Sequence, residues 1–322
     1  MFFGLCIATI CCFVGFVSSQ GTCNGNAALC SRKYSNVTQV GTHDSAFVGE
    51  FVTQNQIMSV SEQLAAGVRF LQTQTHVKNG VLQMCHTSCD LEDAGTLVKY
   101  LSTIKDFIEL NPNEVITILL TNGDRAPLSM FGAEMVNSGL AKYAFIPPKQ
   151  LAIDEWPTLQ ELIKAGTPIV MFLDYGASSD QVPYILDEFK YFFETPFDVT
   201  DPNFSSCALD RPPASDGTNL MMVTEKSSLP FGYIVTNVIK NQLINHFLDR
   251  SILGGILIPD RDASPRTNAA TGAGSIGAHS DLCRQKWGRK PNMILIDYFG
   301  NGDALTAQNN INGLEAQPKG NL

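Results

Sequence analysis

The sequence predicts an α/β fold, a (β/α)8 TIM-type barrel, and three features support this prediction. Short β-branched or apolar segments alternate with longer amphipathic segments along the chain. Segments such as 169–174 are apolar almost without interruption, as expected of a parallel strand covered on both faces. The chain has 322 residues, a normal length for an eight-fold barrel with insertions. The expectation covers distorted and incomplete barrels.

Eight segments have the character of strands. They are residues 37–42, 68–74, 81–85, 115–120, 169–174, 220–224, 255–258 and 293–297. Seven segments between them have helical character: 61–66, 91–110, 129–139, 159–165, 181–193, 233–248 and 276–285. Asn111 and Pro112 end the second helix, because the residue before a proline disfavours helical backbone.

The amino-terminal segment predicts export. The first seventeen residues carry no charge and are mostly apolar, and the chain then turns small and polar at 18–20. This pattern indicates a signal peptide at 1–19, followed by a single barrel domain at 20–322. An uncleaved anchor stays open as an alternative, because no Lys or Arg precedes the apolar stretch. We expect a secreted, extracellular monomer.

Six cysteines remain once the predicted signal peptide is removed: Cys23, Cys30, Cys85, Cys89, Cys207 and Cys283. An even number in an oxidising compartment predicts three disulfides. Short loops favour Cys23–Cys30 and Cys85–Cys89, which leaves Cys207–Cys283 as the third pair. A zinc site at Cys85 and Cys89 beside His86 is the competing interpretation.

Charge and composition exclude some partners. The net charge is −9 and no run of Lys or Arg occurs, so we expect no nucleic acid partner. Nothing attracts the protein to anionic lipid, and membrane contact is expected to be peripheral at most, through apolar loops. Asn36 and Asn203 begin acceptable glycosylation sequons for a secretory route. No glycine-rich phosphate loop is found and no cofactor is predicted.

Two histidines are placed for chemistry. His43 follows the first predicted strand, where a parallel barrel carries its reactive side chains. His86 ends another predicted strand, next to a cysteine pair whose disulfide would hold the loop rigid. Two imidazoles facing a phosphodiester can divide the work of general base and general acid. Taken singly, each histidine could equally well have a structural role. The presence of both at the ends of predicted strands favours a catalytic role.

Three segments carry a family resemblance: Gly-Thr-His-Asp-Ser at 41–45, Ala-Gly-Val-Arg-Phe-Leu at 66–71 and Cys-His at 85–86. In order and spacing they resemble the X domain of phosphatidylinositol-specific phospholipases C, most closely the secreted fungal phospholipase C-like phosphodiesterases. The similarity continues through 111–115, 245–248 and 291–297. It implies a (β/α) barrel in which His43 is the general base on an inositol 2-hydroxyl and His86 the general acid. The implied partner is a phosphodiester or inositol-type lipid headgroup, released as a cyclic phosphate.

The sequence departs from this family beside the expected phosphate. The resemblance implies a positive charge there, either calcium held by two acidic residues or an arginine, and this chain has Gln72 and Gln74. Strand alternation puts both glutamines and His76 on one face and Arg69 on the other. We expect Gln72 and Gln74 to bind substrate through their amides, and a protonated His76 to supply a cation. No metal is predicted, because amide oxygens alone bind calcium poorly.

Two aspartates close strand-like segments. Asp297 is the predicted catalytic partner that orients His43, and Asp174 is a predicted substrate-binding residue. Capping of the following helix is the alternative for both. Glu114 precedes its strand and belongs to the opposite end of the barrel. His246 lies in the predicted helix 233–248 and is assigned to packing.

The leading function is therefore phosphoric diester hydrolysis by two histidines without the usual calcium site. The alternative is a weak or inactive barrel that binds an inositol phosphate, a glycan or a surface partner, and Gln72 and Gln74 favour it. A metal-dependent phosphodiesterase would need acidic ligands at those positions. A glycosidase would need a carboxylate pair, for which Asp174 and Asp297 are candidates without further support.

Overall fold

Eight parallel strands wrap into a barrel in the computed structural model, which describes residues 21–213 and 240–314. The strands of this part of the chain are β1 (Gln39–Thr42), β2 (Phe70–Lys78), β3 (Val81–Cys85), β4 (Asp93–Thr96), β5 (Ile116–Asn122), β6 (Ile169–Leu173), β7 (Ile185–Asp187), β8 (Phe192–Glu194), β9 (Asn241–Asn245), β10 (Asp249–Ser251), β11 (Leu257–Pro259) and β12 (Met293–Ile296). Around the barrel the order is β1, β2, β5, β6, β7, β8, β9 and β12, and β12 pairs in parallel with β1.

The barrel is not fully closed. Among the described strands, no ladder of hydrogen bonds joins β7 to β8, whereas the other neighbours on the path are paired in parallel. The predicted TIM-type barrel is thus confirmed in a distorted form. The predicted signal peptide at 1–19 and the predicted strand at 220–224 lie outside the described residues.

The helices are α1 (Val60–Ala66), α2 (Leu97–Leu110), α3 (Leu128–Asn137), α4 (Leu159–Lys164), α5 (Glu188–Tyr191), α6 (Ser264–Thr267), α7 (Ile276–Trp287) and α8 (Ala304–Ile311). Their ends follow local signals. A capping box of Ser59 and Glu62 begins α1, and Gly67, with φ of 111°, ends it. Across the described residues, every helix is too short or too polar to span a bilayer.

Two predicted helices are wrong. Segment 181–193 contains β7, α5 and β8, and the described part of 233–248 contains β9. All five residues of β9 are buried between β8 and β12, so neighbouring strands override a pattern that is ambiguous over such short segments. Segment 91–110 becomes helical only at Leu97, because Asp93–Thr96 pairs with β3.

Two predicted strands lie outside the barrel. β3 pairs antiparallel with β2 across a tight turn at Asn79 and Gly80, both with positive φ, as such hairpins require. β10 and β11 form a separate antiparallel hairpin, and the second half of the predicted strand 255–258 lies in β11. β7, β8 and β9 occupy three barrel positions that the sequence analysis did not assign to strands.

Apolar side chains on both faces of the strands hold the barrel together. One buried cluster includes Val40, Leu71 and Ile118 and packs against the helices. A second cluster includes Phe70, Phe172 and Trp156. It also includes Leu119 and Leu295, which line a pocket at the carboxyl ends of the barrel strands. The barrel is therefore filled with apolar side chains below that pocket, and its polar side chains gather at the strand ends.

The three predicted disulfides are present. The Cα atoms are 5.0 Å apart in Cys23–Cys30, 4.7 Å in Cys85–Cys89 and 5.2 Å in Cys207–Cys283. These distances lie in the usual range for a disulfide. The sulfur atoms of Cys85 and Cys89 are bonded to each other and are not available as zinc ligands.

Gly41 allows β1 and β2 to approach closely, and we expect Gly41→Ala to destabilise the barrel. An added Cβ would lie 2.5 Å from the carbonyl oxygen of Phe70, a backbone atom that cannot move alone. Such overpacking lowers the free energy of unfolding by about 1–3 kcal/mol, measurable by urea denaturation. Gly21→Ala is the control, because no atom lies within 4 Å of that position. Equal stability of the two variants would contradict this prediction.

Candidate active site

A pocket of about 380 Å³ opens at the carboxyl ends of the barrel strands. Five of the residues singled out from the sequence line it: His43, Gln72, Gln74, His86 and Asp174. This is the end of a parallel barrel where the loops converge and where functional side chains are expected. The strands therefore bring together positions that are far apart in the chain.

His43 is fixed on three sides. Its Nδ1 lies 2.9 Å from Oδ1 of Asp297, which follows β12. Its backbone N–H donates to the carbonyl of Ile296 at 2.9 Å, and its ring stacks on Phe247 with centroids 3.7 Å apart. The parallel pairing of β1 and β12 creates this contact, because it places the residue after each strand side by side. The expected pairing of His43 with Asp297 is present.

Two amide residues that the sequence analysis missed support this pair. Asn55 donates from Nδ2 to both carboxylate oxygens of Asp297 at 3.1 Å. Gln56 donates from Nε2 to the His43 carbonyl at 2.6 Å. Both residues are buried in a loop with no periodic pattern, so no local signal marks them.

His86 and His43 meet at one carboxylate. Oδ2 of Asp44 lies 3.3 Å from Nε2 of His86 and 3.5 Å from Nε2 of His43. Asp44 is fully buried, and its φ of 48° lies in the left-handed region. That strained conformation turns a side chain next to His43 toward the same pocket. Asp44 belongs to the motif at 41–45, but no local pattern distinguishes it from its neighbours.

The two glutamines hold Asp44 in place. Gln74 donates from Nε2 to Oδ2 of Asp44 at 2.8 Å, and its Oε1 accepts from the backbone N–H of Thr87 at 3.1 Å. Gln72 accepts from the backbone N–H of Asp44 at 2.8 Å and donates to Oγ1 of Thr121 at 3.1 Å. Both amides border the pocket, yet their oxygens already accept backbone hydrogen bonds. These residues do not fit a calcium site.

His76 lies away from the pocket, contrary to the expectation that it binds substrate. Its Nδ1 is 2.8 Å from Oδ1 of Asp124, and it does not line the cavity. β2 runs on to Lys78 in its hairpin with β3, so the alternation that places Gln72 and Gln74 at the pocket carries His76 beyond it. Arg69 pairs with Glu114 at 2.8 Å, as expected for the opposite end of the barrel.

A positive charge reaches the pocket from an unexpected position. Arg211 lies beyond β8 and donates from Nε to Oε2 of Glu194 at 3.0 Å, and its Cζ lies 4.9 Å from the ring centroid of Phe197. It lines the pocket together with Asp174 and Glu188. Sequence analysis missed Arg211 because it belongs to a loop, where strand alternation gives no information.

Burial and charge set the protonation of the histidine pair. Burial lowers the pKa of His43, but the carboxylates of Asp44 and Asp297 raise it more, to about 9. For His86, burial also lowers the pKa, and the hydrogen bond and charge of Asp44 more than compensate, so the pKa is raised. Burial raises the pKa of Asp44, and the two histidines lower it further than that, so it lies below its ordinary value. The three groups therefore titrate as a coupled set.

His246 has a packing role, as expected, although it follows a strand and is not in a helix. Its Nδ1 lies 2.9 Å from Nδ1 of His279, and its Nε2 lies 2.9 Å from the carbonyl of Thr267. The ring of Phe204 covers the pair. Burial and the neighbouring histidine lower the pKa of His246 to about 3.

Comparison of the sequence with known proteins gives close relatives. "PI-PLC X domain-containing protein 1" of Arthroderma benhamiae is 45% identical over 294 residues, covering 91% of this chain and 90% of the relative. An "Uncharacterized secreted protein" of the same organism is 41% identical over 284 residues, covering 87% of this chain and 61% of the relative.

Solved structures share the fold at low identity. Phosphatidylinositol-specific phospholipase C from Listeria monocytogenes matches with a TM-score of 0.54 and 16% identity, covering 89% of this chain and 96% of that one. A mutant of the Staphylococcus aureus enzyme matches with a TM-score of 0.56 and 14% identity, covering 89% and 95%. The family model described as PI-PLC X 1 matches residues 29–231 and 234–312. This chain belongs to the PI-PLC X domain family.

Proposed function

We propose that this protein is a phosphoric diester hydrolase of the phospholipase C type that uses His43 and His86 as general base and general acid. The observation that carries the proposal is the convergence of both imidazoles on the buried carboxylate of Asp44 at the mouth of the barrel. One charged group thereby couples two groups that can exchange protons with a substrate. Family membership supports the same reaction class.

In the first step, a hydroxyl of the headgroup attacks phosphorus and gives its proton to Nε2 of His43. The hydrogen bond from Nδ1 to Asp297 selects the neutral tautomer whose lone pair is on Nε2. The bond between phosphorus and the other alcohol breaks, and the departing oxygen takes a proton from His86. The products are a cyclic phosphodiester and a free alcohol.

In the second step, water opens the cyclic phosphodiester and the proton roles are reversed. His86 accepts a proton from water and His43 returns its proton to the headgroup oxygen, which gives a phosphomonoester. Asp44 holds a proton on the histidine pair between the two steps, because its charge raises both histidine pKa values. The Cys85–Cys89 disulfide and Gln74 fix the loop that carries His86.

We propose that the reaction proceeds without the usual calcium site. Gln72 and Gln74 are committed to Asp44, as described above. The guanidinium of Arg211 and the protonated histidines are the positive groups that line the pocket within residues 21–213 and 240–314. These cations can stabilise charge on the phosphoryl oxygens. The substrate is a phosphodiester with a hydroxyl-bearing headgroup of the inositol type.

We further propose that the protein is secreted, as a monomer with one barrel domain after a signal peptide at 1–19. A relative named a secreted protein and three disulfides support this location. Asn36 and Asn203 are exposed, as glycosylation would require.

Apolar loops at the pocket rim support peripheral contact with a membrane. Leu257 and Pro259 of β11 line the pocket, and at the tip of the same hairpin the side chain of Leu253 is 96% exposed. Phe51, 78% exposed, belongs to a loop tied to this region by the Arg261–Glu50 ion pair of 3.7 Å. With a net charge of −9, we expect binding to neutral phosphatidylcholine surfaces through these apolar side chains.

The double variant Leu253→Ser/Ile256→Ser removes two exposed apolar side chains from the β10–β11 hairpin. It should bind phosphatidylcholine vesicles more weakly. Burial of one such side chain contributes about 1.5–3 kcal/mol, so each loss weakens binding at least about tenfold. Vesicle sedimentation measures binding, and hydrolysis of soluble glycerophosphoinositol should stay unchanged. Leu110→Ser is the control, because Leu110 is 81% exposed at the end of α2, which leads into the amino end of β5. Equal loss in the control would disprove a specific contact.

His43→Ala and His86→Ala should each lower kcat/KM by about 100-fold to 10,000-fold, the usual contribution of general acid–base catalysis. Phosphorus NMR can follow cyclic and linear phosphate released from phosphatidylinositol and glycerophosphoinositol, with and without chelator. His76→Ala is the matched control and should retain activity, because this histidine lies outside the pocket. Activity that chelator abolishes would contradict the metal-free mechanism. If the unmodified protein hydrolyses neither substrate but binds one of them saturably, the alternative of an inactive binding barrel is favoured.

In a plot of kcat/KM against pH, the rise on the acid side should have its midpoint above the ordinary histidine pKa, toward the pKa of about 9 of His43. The sign follows from the base role: His43 must lose its proton to act, so the rate rises with pH until that proton is lost. Asp297→Asn removes a charge that raises the pKa of His43 and should shift the limb to lower pH while reducing kcat. An unshifted limb would show that another group controls it.

A further inference from the structure

The two pocket histidines both direct their Nε2 atoms at Asp44. Oδ2 of Asp44 lies 3.5 Å from Nε2 of His43 and 3.3 Å from Nε2 of His86. The Nδ1 atoms lie on the other side of each ring. Nδ1 of His43 has a carboxylate partner, because Oδ1 of Asp297 is 2.9 Å away. Nδ1 of His86 is buried and has no hydrogen-bond partner among the described residues.

A buried carboxylate oxygen beside His86 also lacks a partner. Oε2 of Glu92 accepts no hydrogen bond from the part of the chain that the structure describes. Buried polar atoms in this state are rare in folded proteins and call for an explanation.

Backbone pairing places Glu92 directly opposite His86. Cys85 pairs with Asp93 in the antiparallel β3–β4 ladder. One residue further out, the N–H of His86 donates to the carbonyl of Glu92 at 3.2 Å. Side chains of residues opposed in this way lie on the same face, with Cβ atoms about 4.5–5.5 Å apart. The two unpartnered atoms, one of an imidazole and one of a carboxylate, therefore belong to neighbouring side chains.

Glu92 is held by the same loop that supports Asp297. Oε1 of Glu92 accepts from Nε2 of Gln54 at 2.9 Å. Asn55, the next residue, donates to both carboxylate oxygens of Asp297. One loop thus fixes a carboxylate beside each of the two histidines.

The charges around His86 agree with a partner at Nδ1. Burial lowers its pKa, whereas the hydrogen bond and charge of Asp44 and the charge of Glu92 raise it. The positive charge of His43 opposes this rise, and the carboxyl group of Asp249 in the same pocket also interacts with the charge of His86. A protonated imidazole carries N–H groups at both nitrogens. Protonated His86 therefore needs an acceptor at Nδ1 as well as at Nε2.

We propose that Glu92 is the positioning residue of His86, and that its Oε2 accepts a hydrogen bond from Nδ1 when the imidazole is protonated. The two atoms are neighbours without a bond in the structure, and rotation of the Glu92 side chain brings them together. The bond keeps Nε2 directed into the pocket, where it can give its proton to the departing oxygen. The catalytic part of this proposal rests on the proposed function, but the hydrogen bond does not depend on turnover.

NMR spectroscopy of protein labelled with 15N-histidine tests the hydrogen bond without any substrate. Below the pKa of His86, its Nδ1–H should give a strongly downfield proton signal, as expected of a charge-assisted bond, and Glu92→Ala should lose it. Glu92→Gln removes the charge and should lower the pKa of His86 by about one unit. Asp93→Asn is the matched control, because the adjacent Asp93 is paired with Lys78 at 2.9 Å. It should leave the pKa of His86 unchanged.

Hydrolysis measures the catalytic consequence. Glu92→Gln should lower kcat about tenfold with KM nearly unchanged, because the lost interaction acts on proton transfer and not on substrate binding. Asp93→Asn should keep the kcat of the unmodified protein. Thermal unfolding checks that the variants fold, and the Nδ1–H signal of the unmodified protein decides the case if the Glu92 variants do not.

Two spectroscopic results would overturn the proposal: no downfield Nδ1–H signal from His86 in the unmodified protein, or the same His86 pKa in Glu92→Gln and Asp93→Asn. An unchanged kcat in Glu92→Gln would overturn the positioning role. If the expected signal and pKa are found in a protein that hydrolyses no phosphodiester, only the proposed hydrolysis is refuted.

Discussion

The buried carboxylate of Asp44 is the constraint around which the site is built. A fully buried carboxylate is unfavourable unless it is charge-paired and hydrogen-bonded. Gln72 and Gln74 supply neutral hydrogen bonds to this residue, and His43 and His86 supply positive charge. The charge of Asp44 also raises the pKa of both imidazoles. The contacts that stabilise the buried carboxylate are therefore the same contacts that set the protonation of the two histidines.

The barrel satisfies this constraint with residues that are distant in sequence. β1 and β12 are neighbours, so the residues that follow them, His43 and Asp297, come into contact across 254 positions of the chain. The β2–β3 hairpin, the Cys85–Cys89 disulfide and the amide of Gln74 together place His86 beside the same carboxylate. Rigid support of this kind is what the proposed acid–base pair needs.

Charge is distributed unevenly over the pocket. The side formed by β1 and β2 carries the two imidazoles, and the side beyond β6 carries Asp174, Glu188 and Glu194. Gln72 and Gln74 stand where the sequence resemblance implies a positive charge. In this chain both amides hold Asp44: Gln74 donates to its carboxylate and Gln72 accepts from its backbone N–H. In our proposal, the positive charge needed by a phosphodiester comes from the histidines and from Arg211.

The fold class and much of the histidine side of the pocket follow from sequence patterns alone. Regular alternation of apolar strands and amphipathic helices indicates a parallel barrel, because both faces of such a sheet must be buried. The strand ends then identify His43 and Asp174 as pocket residues and Asp297 as the partner of His43. Strand alternation placed His76 on the same face as the glutamines, and it does not reach the pocket because β2 runs beyond the barrel rim into a hairpin.

The remaining features depend on contacts between elements that are distant in the chain. Segments such as 241–245 are too short for their periodicity to distinguish strand from helix, and pairing with β8 and β12 makes this one a strand. Asn55 and Arg211 come from loops, where no periodicity relates a residue to the face it occupies. Asp44 acquires its importance only when His86 folds against it. Sequence patterns report which face of an element is buried, whereas contacts between distant side chains exist only once the barrel has formed.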